Sequence, residues 1–239
     1  MRAKYEVPNS ENLYNPKKYQ TVNNTGLRKW FNDIKHRQIS SGVHPELNRK
    51  ILEIGGGAHP HYKSLQLKGV DSYVVSDLRT VLDSMDSEIL PGAGLTAQKH
   101  YAEVDPSLLS LSGGESKFTR VIASHVWEHV FDPEQSLLDW TACLEHNGLL
   151  SLAIPCDPGY VWRFGQILTR NKVRKHLGFS TAEYDLVMSR EHINAVQRLM
   201  RIFRFYYPRG KVRKFPFPFM PVEVNLYVFL SATRGQFAV

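Results

Sequence analysis

Five short segments rich in apolar residues recur along the first two thirds of the chain, and turn residues bound each of them. Their length and flanking residues are typical of buried strands. Segments with helical spacing separate them, so strand and helix alternate. This alternation predicts an α/β fold with a doubly wound, mostly parallel sheet that helices cover on both faces. The predicted strands are 51–54, 70–76, 99–104, 118–124 and 149–154.

Two of the intervening helices have clear signals. From Thr25 to just before Ser41, the apolar residues Leu27, Trp30, Phe31 and Ile34 share one face, while charged residues occupy the other. A second helix is predicted after Asp132, an N-cap residue, with Pro133 at its first position. Asn147-Gly148 is expected to end it.

The regular alternation stops after the fifth strand. Residues 157–188 begin with an aromatic, apolar stretch and continue with basic residues, which predicts an amphipathic helix with a basic face. Three interpretations compete: a lid over a substrate, a helix on a membrane surface through residues 159–177, or a helix packed on the core. Beyond it, Ser189 is expected to cap a helix that carries His192 on its inward side. A final strand is predicted at 222–232.

The whole chain of 239 residues is interpreted as one domain. Its predicted parts are an N-terminal arm and helix (1–48), a ligand-binding core (49–156), an insert (157–188), and a C-terminal helix with strands (189–239).

Composition narrows the function only modestly. With 42% hydrophobic and 22% charged residues, the chain can form a full core. No apolar run approaches the roughly 20 residues that span a bilayer. Two cysteines favour a reducing compartment, and a cytoplasmic location is expected. The net charge of +7 suggests a phosphorylated substrate, a membrane surface or nucleic acid as partner, although a basic protein without such a partner fits equally well.

A glycine cluster follows the first strand. Glu53-Ile54 leads into Gly55-Gly56-Gly57, and Pro60 can open a helix behind them. Glycines allow a ligand to approach the backbone, and the N-terminus of a following helix favours anionic groups. A cluster of this kind alone is also compatible with a plain turn.

Two acidic residues end the next two strands. Asp77 lies 20 residues after Gly57 and can accept hydrogen bonds from both hydroxyls of a ribose. Asp105 can accept one from the amine of adenine. Leu78, directly after Asp77, is predicted to border the same site. Acidic residues at strand ends are also common helix caps.

Taken together, LEIGGG, the acids of VVSDL and AEVDP, and the segment VIASHVWEHVFDPEQSLLDW followed by LEHNGLLSLAIP resemble the class I S-adenosylmethionine-dependent methyltransferases. The resemblance covers about 50–155 well. It implies a Rossmann-like, seven-stranded sheet with its last strand antiparallel, here with an N-terminal helical arm and a helical insert after the fifth strand. It also implies S-adenosylmethionine as cofactor and S-adenosylhomocysteine as product.

The resemblance assigns roles by position. The glycines Gly55, Gly56 and Gly57 would approach the methionine part of the cofactor, and Glu53 would support the turn. Asp77 would bind the ribose and Asp105 the adenine, while Ser124 and His125 would border the methyl group. One departure is His59, where the family often has a glycine. A nicotinamide-type site is disfavoured because Pro60 replaces the third glycine of that motif.

A competing motif overlaps this segment. His125 to His129 reads H-x-x-E-H, the inverted zinc-peptidase signature. That chemistry needs both histidines on one helical face. However, His125 directly follows a strand, and Asp132-Pro133 starts a new helix, so too little helix remains. Catechol-type metal-dependent transferases would place acids after the fourth strand, where this chain has Ser124 and His125, so a metal-independent reaction with no metal ligands is expected.

The expected reaction is methyl transfer to a hydroxyl of a small molecule or glycan derivative, with an acidic or phosphorylated acceptor. Histidine suits the base because its pKa lies near neutrality, and His125, His129 and His192 are the candidates. Predicted substrate contacts are Tyr19, Trp30, Trp162 and Arg163. Alternatives are N-methylation of an amine and a non-catalytic scaffold that binds the cofactor. No nucleic acid partner is expected, and the protein can lie peripherally at the inner membrane face.

Overall fold

The structure, a computed structural model, describes residues 26–56, 60–64, 69–83, 96–102 and 117–238. These residues form a seven-stranded sheet in the order β3-β2-β1-β4-β5-β7-β6. The strands are β1 Lys50–Ile54, β2 Ser72–Asp77, β3 Gln98–Tyr101, β4 Phe118–Ser124, β5 Leu144–Pro155, β6 Lys211–Phe215 and β7 Tyr227–Thr233.

Six strands run parallel and only the last is reversed. β7 pairs antiparallel with β5 on one side and with β6 on the other. In this register Tyr227 lies opposite both Pro155 and Phe215. β5 and β6, which flank β7, therefore end at the same edge of the sheet. We call this edge, where the six parallel strands end, the carboxyl edge. The predicted Rossmann-like fold with a reversed last strand is confirmed.

Helices cover both faces of the sheet. They are α1 Gly26–Ser40, α2 Arg79–Leu82, α3 Pro133–Ala142, α4 Tyr160–Leu177, α5 Thr181–Glu191 and α6 Val196–Tyr206. Short 3-10 turns occur at Pro45–Asn48, His61–Ser64, Trp127–His129, Val222–Val224 and Arg234–Gln236. Within the described ranges, no helix combines the length and the apolar character needed to cross a membrane.

Two apolar clusters, one on each face, hold these layers together. Leu52, Val121 and Leu150 pack with α3 and α6 on one face, whereas Ile51, Val75 and Ile122 pack with Tyr73 and α1 on the other. Adjacent strand residues therefore point to opposite clusters, as the pleat of a strand buried on both faces requires.

Two predicted element boundaries are wrong. α3 ends at Ala142, and β5 already begins at Leu144, because Leu144 pairs with Phe118 before the register shifts. Asn147-Gly148 therefore lies inside β5. Ser189 does not cap a helix, because its hydroxyl donates to the Leu186 carbonyl within α5.

The inward face of α1 also differs from the prediction. Trp30 is half exposed, whereas Lys35, His36 and Ile39 are buried. Of the two buried polar residues, His36 has its Nδ1 2.9 Å from Nδ1 of the buried His61. The end of α1 also contacts Arg120 on β4, which is fully buried.

Arg120 ties α1 to the sheet with four hydrogen bonds. Its guanidinium donates to the Ile39 carbonyl at 2.8 Å, to Asn48 Oδ1 at 2.8 Å, to Ser40 Oγ at 3.2 Å and to Ser151 Oγ at 3.1 Å. Burial lowers its pKa to about 10, while the neighbouring Tyr73 and Glu53 raise it in part. Ser40 Oγ also lies 2.6 Å from His61 Nε2, so removing this cation takes the shared donor chiefly from the Ile39, Asn48 and Ser151 acceptors.

Arg120→Met should therefore lower the free energy of unfolding by about 3 kcal/mol or more, as expected when several buried, charge-assisted hydrogen bonds are lost. Urea denaturation followed by circular dichroism measures this. Arg209→Met, at an exposed position, is the matched control and should change stability by less than about 0.5 kcal/mol. Equal stability of the two variants would contradict this role for Arg120.

Candidate functional site

The first part of the site is the turn after β1, and a buried carboxylate holds it. Glu53 accepts hydrogen bonds from the His61 backbone N–H at 2.8 and 2.9 Å and from the Tyr73 hydroxyl at 2.5 Å. Burial raises the pKa of Glu53 to about 7, and the two hydrogen bonds and Lys35 limit this rise. Glu53 thus ties the backbone at residue 61 to β1.

The glycines Gly55 and Gly56 are required by internal packing. Gly55 has φ +63°, and a Cβ there would lie 2.2 Å from Val126 Cγ2. A Cβ on Gly56 would lie 2.8 Å from Val75 Cγ1 and 3.1 Å from the Glu53 carboxyl carbon. The sequence suggested that these glycines admit a ligand, and the structure gives a second reason: they let the loop after β4 and the Glu53 carboxylate approach the turn.

The end of β2 lies beside this turn. The Gly55 N–H donates to the Ser76 carbonyl at 2.8 Å, which brings Asp77 next to the glycines. Asp77 is half-buried, and its Oδ1 accepts from the Leu78 N–H at 2.7 Å. The Leu78 side chain is exposed. The predicted site residues Tyr19, Gly57 and Asp105, and also His59, lie outside the described residues.

β4 ends in a strained turn at the same edge. His125 has φ +59°, a left-handed conformation that is uncommon for a residue with a side chain. The Ser124 hydroxyl and His125 Nε2 are buried, and neither has a hydrogen-bond partner in the part of the chain that the structure describes. Burial lowers the pKa of His125 well below its usual value, and Lys35, His192 and His129 lower it further. His125 is therefore neutral and weakly basic at physiological pH.

A second buried carboxylate lies behind this turn. Glu128 is almost fully buried, and among the described residues neither of its carboxylate oxygens has a hydrogen-bond partner. Its Oε1 lies 3.5 Å from His125 Nδ1 and 3.6 Å from His129 Nε2. Burial raises the pKa of Glu128, while His129, His192 and Lys35 lower it in part.

Lys35 brings a positive charge to the same place. Burial lowers its pKa to about 8, while the charges of Glu128 and Glu53 raise it in part. One buried cation from α1 thus lies close enough to act electrostatically on both buried carboxylates. It links the glycine turn to the region below β4.

His129 and His192 form an edge-to-face pair, with ring centroids 4.9 Å apart. His129 Nδ1 donates to the Glu191 carbonyl at 2.8 Å and so fastens this loop to the end of α5. His192 Nδ1 donates to Asp157 Oδ2 at 2.8 Å, which leaves its Nε2 as the basic nitrogen. Burial alone would lower the pKa of His192, but the Asp157 hydrogen bond and the charges of Glu128, Asp157 and Glu191 raise it.

His192 reaches Asp157 because the chain breaks between α5 and α6. The prediction that His192 lies within a helix is wrong, since α5 ends at Glu191 and α6 begins at Val196. Asn194 stabilises the break: its backbone N–H donates to the Glu128 carbonyl, and its amide donates to the Val130 carbonyl. The Val196 N–H donates to the Asp157 carbonyl.

Trp162 of α4 covers this group of rings. It lies 6.0 Å from His125, 6.4 Å from His192 and 6.1 Å from Tyr227, measured between ring centroids. The structure therefore brings together Ser124, the three histidines and Trp162. It does not place Arg163 in this group, because that side chain is exposed, and Trp30 instead contacts Phe31 on α1.

Sequence reasoning did not include Asp157, Lys35 or Tyr227. Asp157 could have been found, since it follows the end of β5 just as Asp77 ends β2. Lys35 could not, because on a helical pattern it belongs to the polar face. Tyr227 could not be found either. The predicted strand 222–232 begins five residues before β7, so it does not show that Tyr227 is the residue at the end of the strand, next to the site.

The H-x-x-E-H segment lacks the geometry of a zinc peptidase. His125 lies before a 3-10 turn of three residues, Trp127–His129, and no α-helix carries both histidines. In the described part of the chain, no group of three or more His, Cys, Asp or Glu side chains is arranged to hold a metal ion.

A cavity of about 460 Å³ lies elsewhere, at the opposite edge of the sheet. Lys50 and Thr119 line it where β1 and β4 begin, next to the ion pair of Arg49 and Asp71. Since doubly wound sheets bind ligands beyond the carboxyl ends of their strands, this cavity is not the candidate site.

The packing of Gly55 leads to a mutational test. Gly55 and Gly42 both have positive φ, but a Cβ at Gly42 would have nothing within 4 Å. Gly42→Ala should cost about 1 kcal/mol from backbone strain alone. Gly55→Ala should cost about 1–3 kcal/mol more because of overpacking against Val126. Adding Val126→Ala to Gly55→Ala should recover part of that difference. Urea denaturation of the wild type and these variants measures the effects, and equal losses at Gly42 and Gly55 would disprove the contact.

Comparison with known proteins supports the fold assignment. No protein-family model matches the chain, and no curated protein sequence matches it. Many solved structures do. One from Thermotoga maritima, described as a SAM-dependent methyltransferase and possible histamine N-methyltransferase, has a TM-score of 0.53 and 16% identity over 94% of this chain and 97% of its own.

Two others widen the range of activities. Magnesium protoporphyrin IX methyltransferase from Synechocystis, with SAH bound, has a TM-score of 0.53 and 15% identity over 93% of this chain and 97% of its own. An O-methyltransferase family protein from Burkholderia thailandensis has a TM-score of 0.56 and 11% identity over 91% of this chain, which spans 58% of that protein. With this strand order and these structural neighbours, the chain has the fold of the class I SAM-dependent methyltransferases.

Proposed function

We propose that this protein transfers the methyl group of S-adenosylmethionine to a hydroxyl of a small molecule or glycan derivative, with an acidic or phosphorylated acceptor and without a metal ion. One observation carries the proposal. A histidine oriented by a carboxylate, His192 with Asp157, lies beside Trp162 at the carboxyl edge of the sheet that also carries Gly55 and Asp77. A proton acceptor and a nucleotide-type turn thus lie at the edge where this fold binds ligands.

The residues present fit the cofactor. Asp77, half-buried at the end of β2, can accept hydrogen bonds from ribose hydroxyls. The buried, unpartnered Ser124 hydroxyl can bond to a ligand beside the glycine turn. Gly55, Gly56 and Leu78 complete this surface, while Glu53 acts indirectly by holding the turn. Gly57 and Asp105 remain predicted contacts from the sequence.

When bound, S-adenosylmethionine supplies a methyl group that a nucleophile can displace from sulfur. The protein must align the acceptor oxygen with that methyl and take up the hydroxyl proton. Among the three histidines, His192 is the best base, because its pKa is raised and its Nε2 is basic. His125 has a strongly lowered pKa and is a poor base, and His129 is the ring that joins two loops.

Trp162 is the best-placed of the predicted substrate contacts, since its ring lies against His125 and His192. Arg163 is exposed and suits an anionic acceptor only at the rim of the site. The contact of Trp30 within the described residues is with Phe31, so its role as a substrate contact stays a prediction. The basic excess of the chain favours an acidic acceptor.

A second candidate is N-methylation of an amine. The buried Glu128 carboxylate lacks hydrogen-bond partners, and a carboxylate of this kind would favour an ammonium or amine ligand. A screen with tritiated methyl donor over hydroxyl and amine acceptors separates the two. Cofactor binding without transfer to any acceptor would instead favour a non-catalytic scaffold.

Asp77→Ala should weaken binding of S-adenosylhomocysteine by about 1–3 kcal/mol, because ribose hydroxyls lose their acceptor. Isothermal titration calorimetry measures the affinity. Asp71→Ala is the matched control: it removes a carboxylate from the other end of β2, next to Arg49, and should leave the affinity unchanged. If Asp77→Ala binds as tightly as the wild type, Asp77 does not contact the ribose.

Asp157→Asn should shift the pH dependence of turnover. The neutral form of His192 is the base, so turnover in the wild type rises with pH through the raised pKa of His192. Without the carboxylate that pKa falls, and the rising limb should move to lower pH while the plateau drops by about tenfold or more. Asp185→Asn, at the exposed ion pair with Arg170, should leave both unchanged. An unshifted limb in Asp157→Asn would exclude His192 as the base.

A further inference from the structure

α4 exposes apolar side chains along one face. Tyr160, Phe164, Ile167 and Leu168 are 74%, 61%, 65% and 63% exposed, and their spacing of four, three and one residues places them on one side of the helix. Trp162 lies on the inward side, against the histidines. Four large apolar residues in three turns exceed the scattered exposure that is normal on a protein surface.

A loop next to α4 adds to this surface. β6 ends at Phe215 beside the end of β5, and α4 follows β5, so residues 216–221 and the start of α4 share the carboxyl edge. Gly159, just before α4, lies against the 3-10 turn that follows this loop, since a Cβ on Gly159 would lie 2.8 Å from the Glu223 carbonyl oxygen. Phe217, Phe219 and Met220 in this loop are exposed, with Phe219 98% exposed. We call these three residues and the four of α4 the apolar edge.

Basic residues predominate on α4. Residues 158–182 contain five Lys and Arg and no Asp or Glu. Acidic residues next to the apolar edge are Asp185, which pairs with Arg170, and Glu223, which lies against Gly159. On α4, Arg163, Lys172 and Lys175 are exposed. The described residues place no ion-pair partner within 4 Å of these three side chains.

We propose that the apolar edge docks on an anionic lipid bilayer. Aromatic and aliphatic side chains would enter the interface, and the adjacent Lys and Arg would bind the headgroups, which is how amphipathic surface helices bind. This proposal is independent of the proposed methyl transfer. Its consequence is that the carboxyl edge, with Trp162 and the histidines behind α4, faces the membrane.

Charge argues against the two other occupants within reach. A second copy of the chain would bring a further net charge of +7 and its own basic segments against this face. The N-terminal segment 1–25 has four Lys and Arg and two Glu, so its charge does not complement α4 either. An anionic bilayer complements both the apolar and the basic character of the surface.

The test is co-sedimentation of the full chain with vesicles of phosphatidylcholine alone and of equal parts phosphatidylcholine and phosphatidylglycerol. The wild type should bind the anionic vesicles more tightly, and added salt should weaken this binding. Phe164→Ser should reduce it several-fold, and Phe164→Ser, Ile167→Ser and Phe219→Ser together should reduce it by about tenfold or more.

Phe205→Ser is the matched control. Phe205 is 69% exposed but lies at the end of α6, just before β6 begins, and therefore at the opposite edge of the sheet. It should bind vesicles as the wild type does. Thermal unfolding of each variant checks that these surface substitutions leave the fold intact.

Three results would overturn the proposal. The first is equal vesicle binding by the wild type and the triple variant, which would mean attraction by charge alone. The second is the absence of binding to anionic vesicles while labelled single-stranded RNA is bound. The third is self-association, lost in the triple variant, in place of vesicle binding.

Discussion

The turn after β1 depends on Glu53, whose carboxylate is buried inside the domain. Burying an unpaired carboxylate would cost several kcal/mol. Here the His61 backbone N–H and the Tyr73 hydroxyl satisfy it, and Lys35 adds a nearby charge. Each of these groups comes from a different part of the chain, so the carboxylate can be satisfied only when α1, β2 and the backbone at His61 are all in place. The position of Gly55 follows from that arrangement.

The same edge of the sheet concentrates polar groups that the core leaves incompletely satisfied. Glu128 and Ser124 lack hydrogen-bond partners, and His125 occupies a left-handed conformation. Such features are uncommon in a well-packed interior and cluster at functional sites. His192 and Asp157, by contrast, are matched to each other. The site therefore combines one pre-oriented pair with groups that a ligand could satisfy, which is the arrangement expected of a binding and reaction centre.

α4 lies between the histidines of this site and the protein surface. Its inward residue Trp162 packs against the histidines, while its outward residues Phe164 and Ile167 are exposed. Val173 packs with Phe179, Tyr184 and Val187 in a small cluster that joins α4 to α5. The lid and membrane-surface interpretations of this helix stay predictions, and its two faces carry different residues, as both would require.

The sequence by itself determined five strands of a mostly parallel sheet, the glycine turn and the acid that ends β2, because strand length, apolar runs and turn residues are local signals. The count of seven strands and the reversed last strand followed only from the resemblance to a known family. Asp132 and Pro133 likewise placed the start of α3. Only the tertiary structure decided which groups meet. Lys35 belongs to a polar helical face by pattern, yet it is buried beside two carboxylates. The helical pattern predicted His192 within a helix. Hydrogen bonds from Asn194 instead stabilise the break between α5 and α6 that brings His192 to Asp157. Long-range hydrogen bonds of this kind have no counterpart in local periodicity.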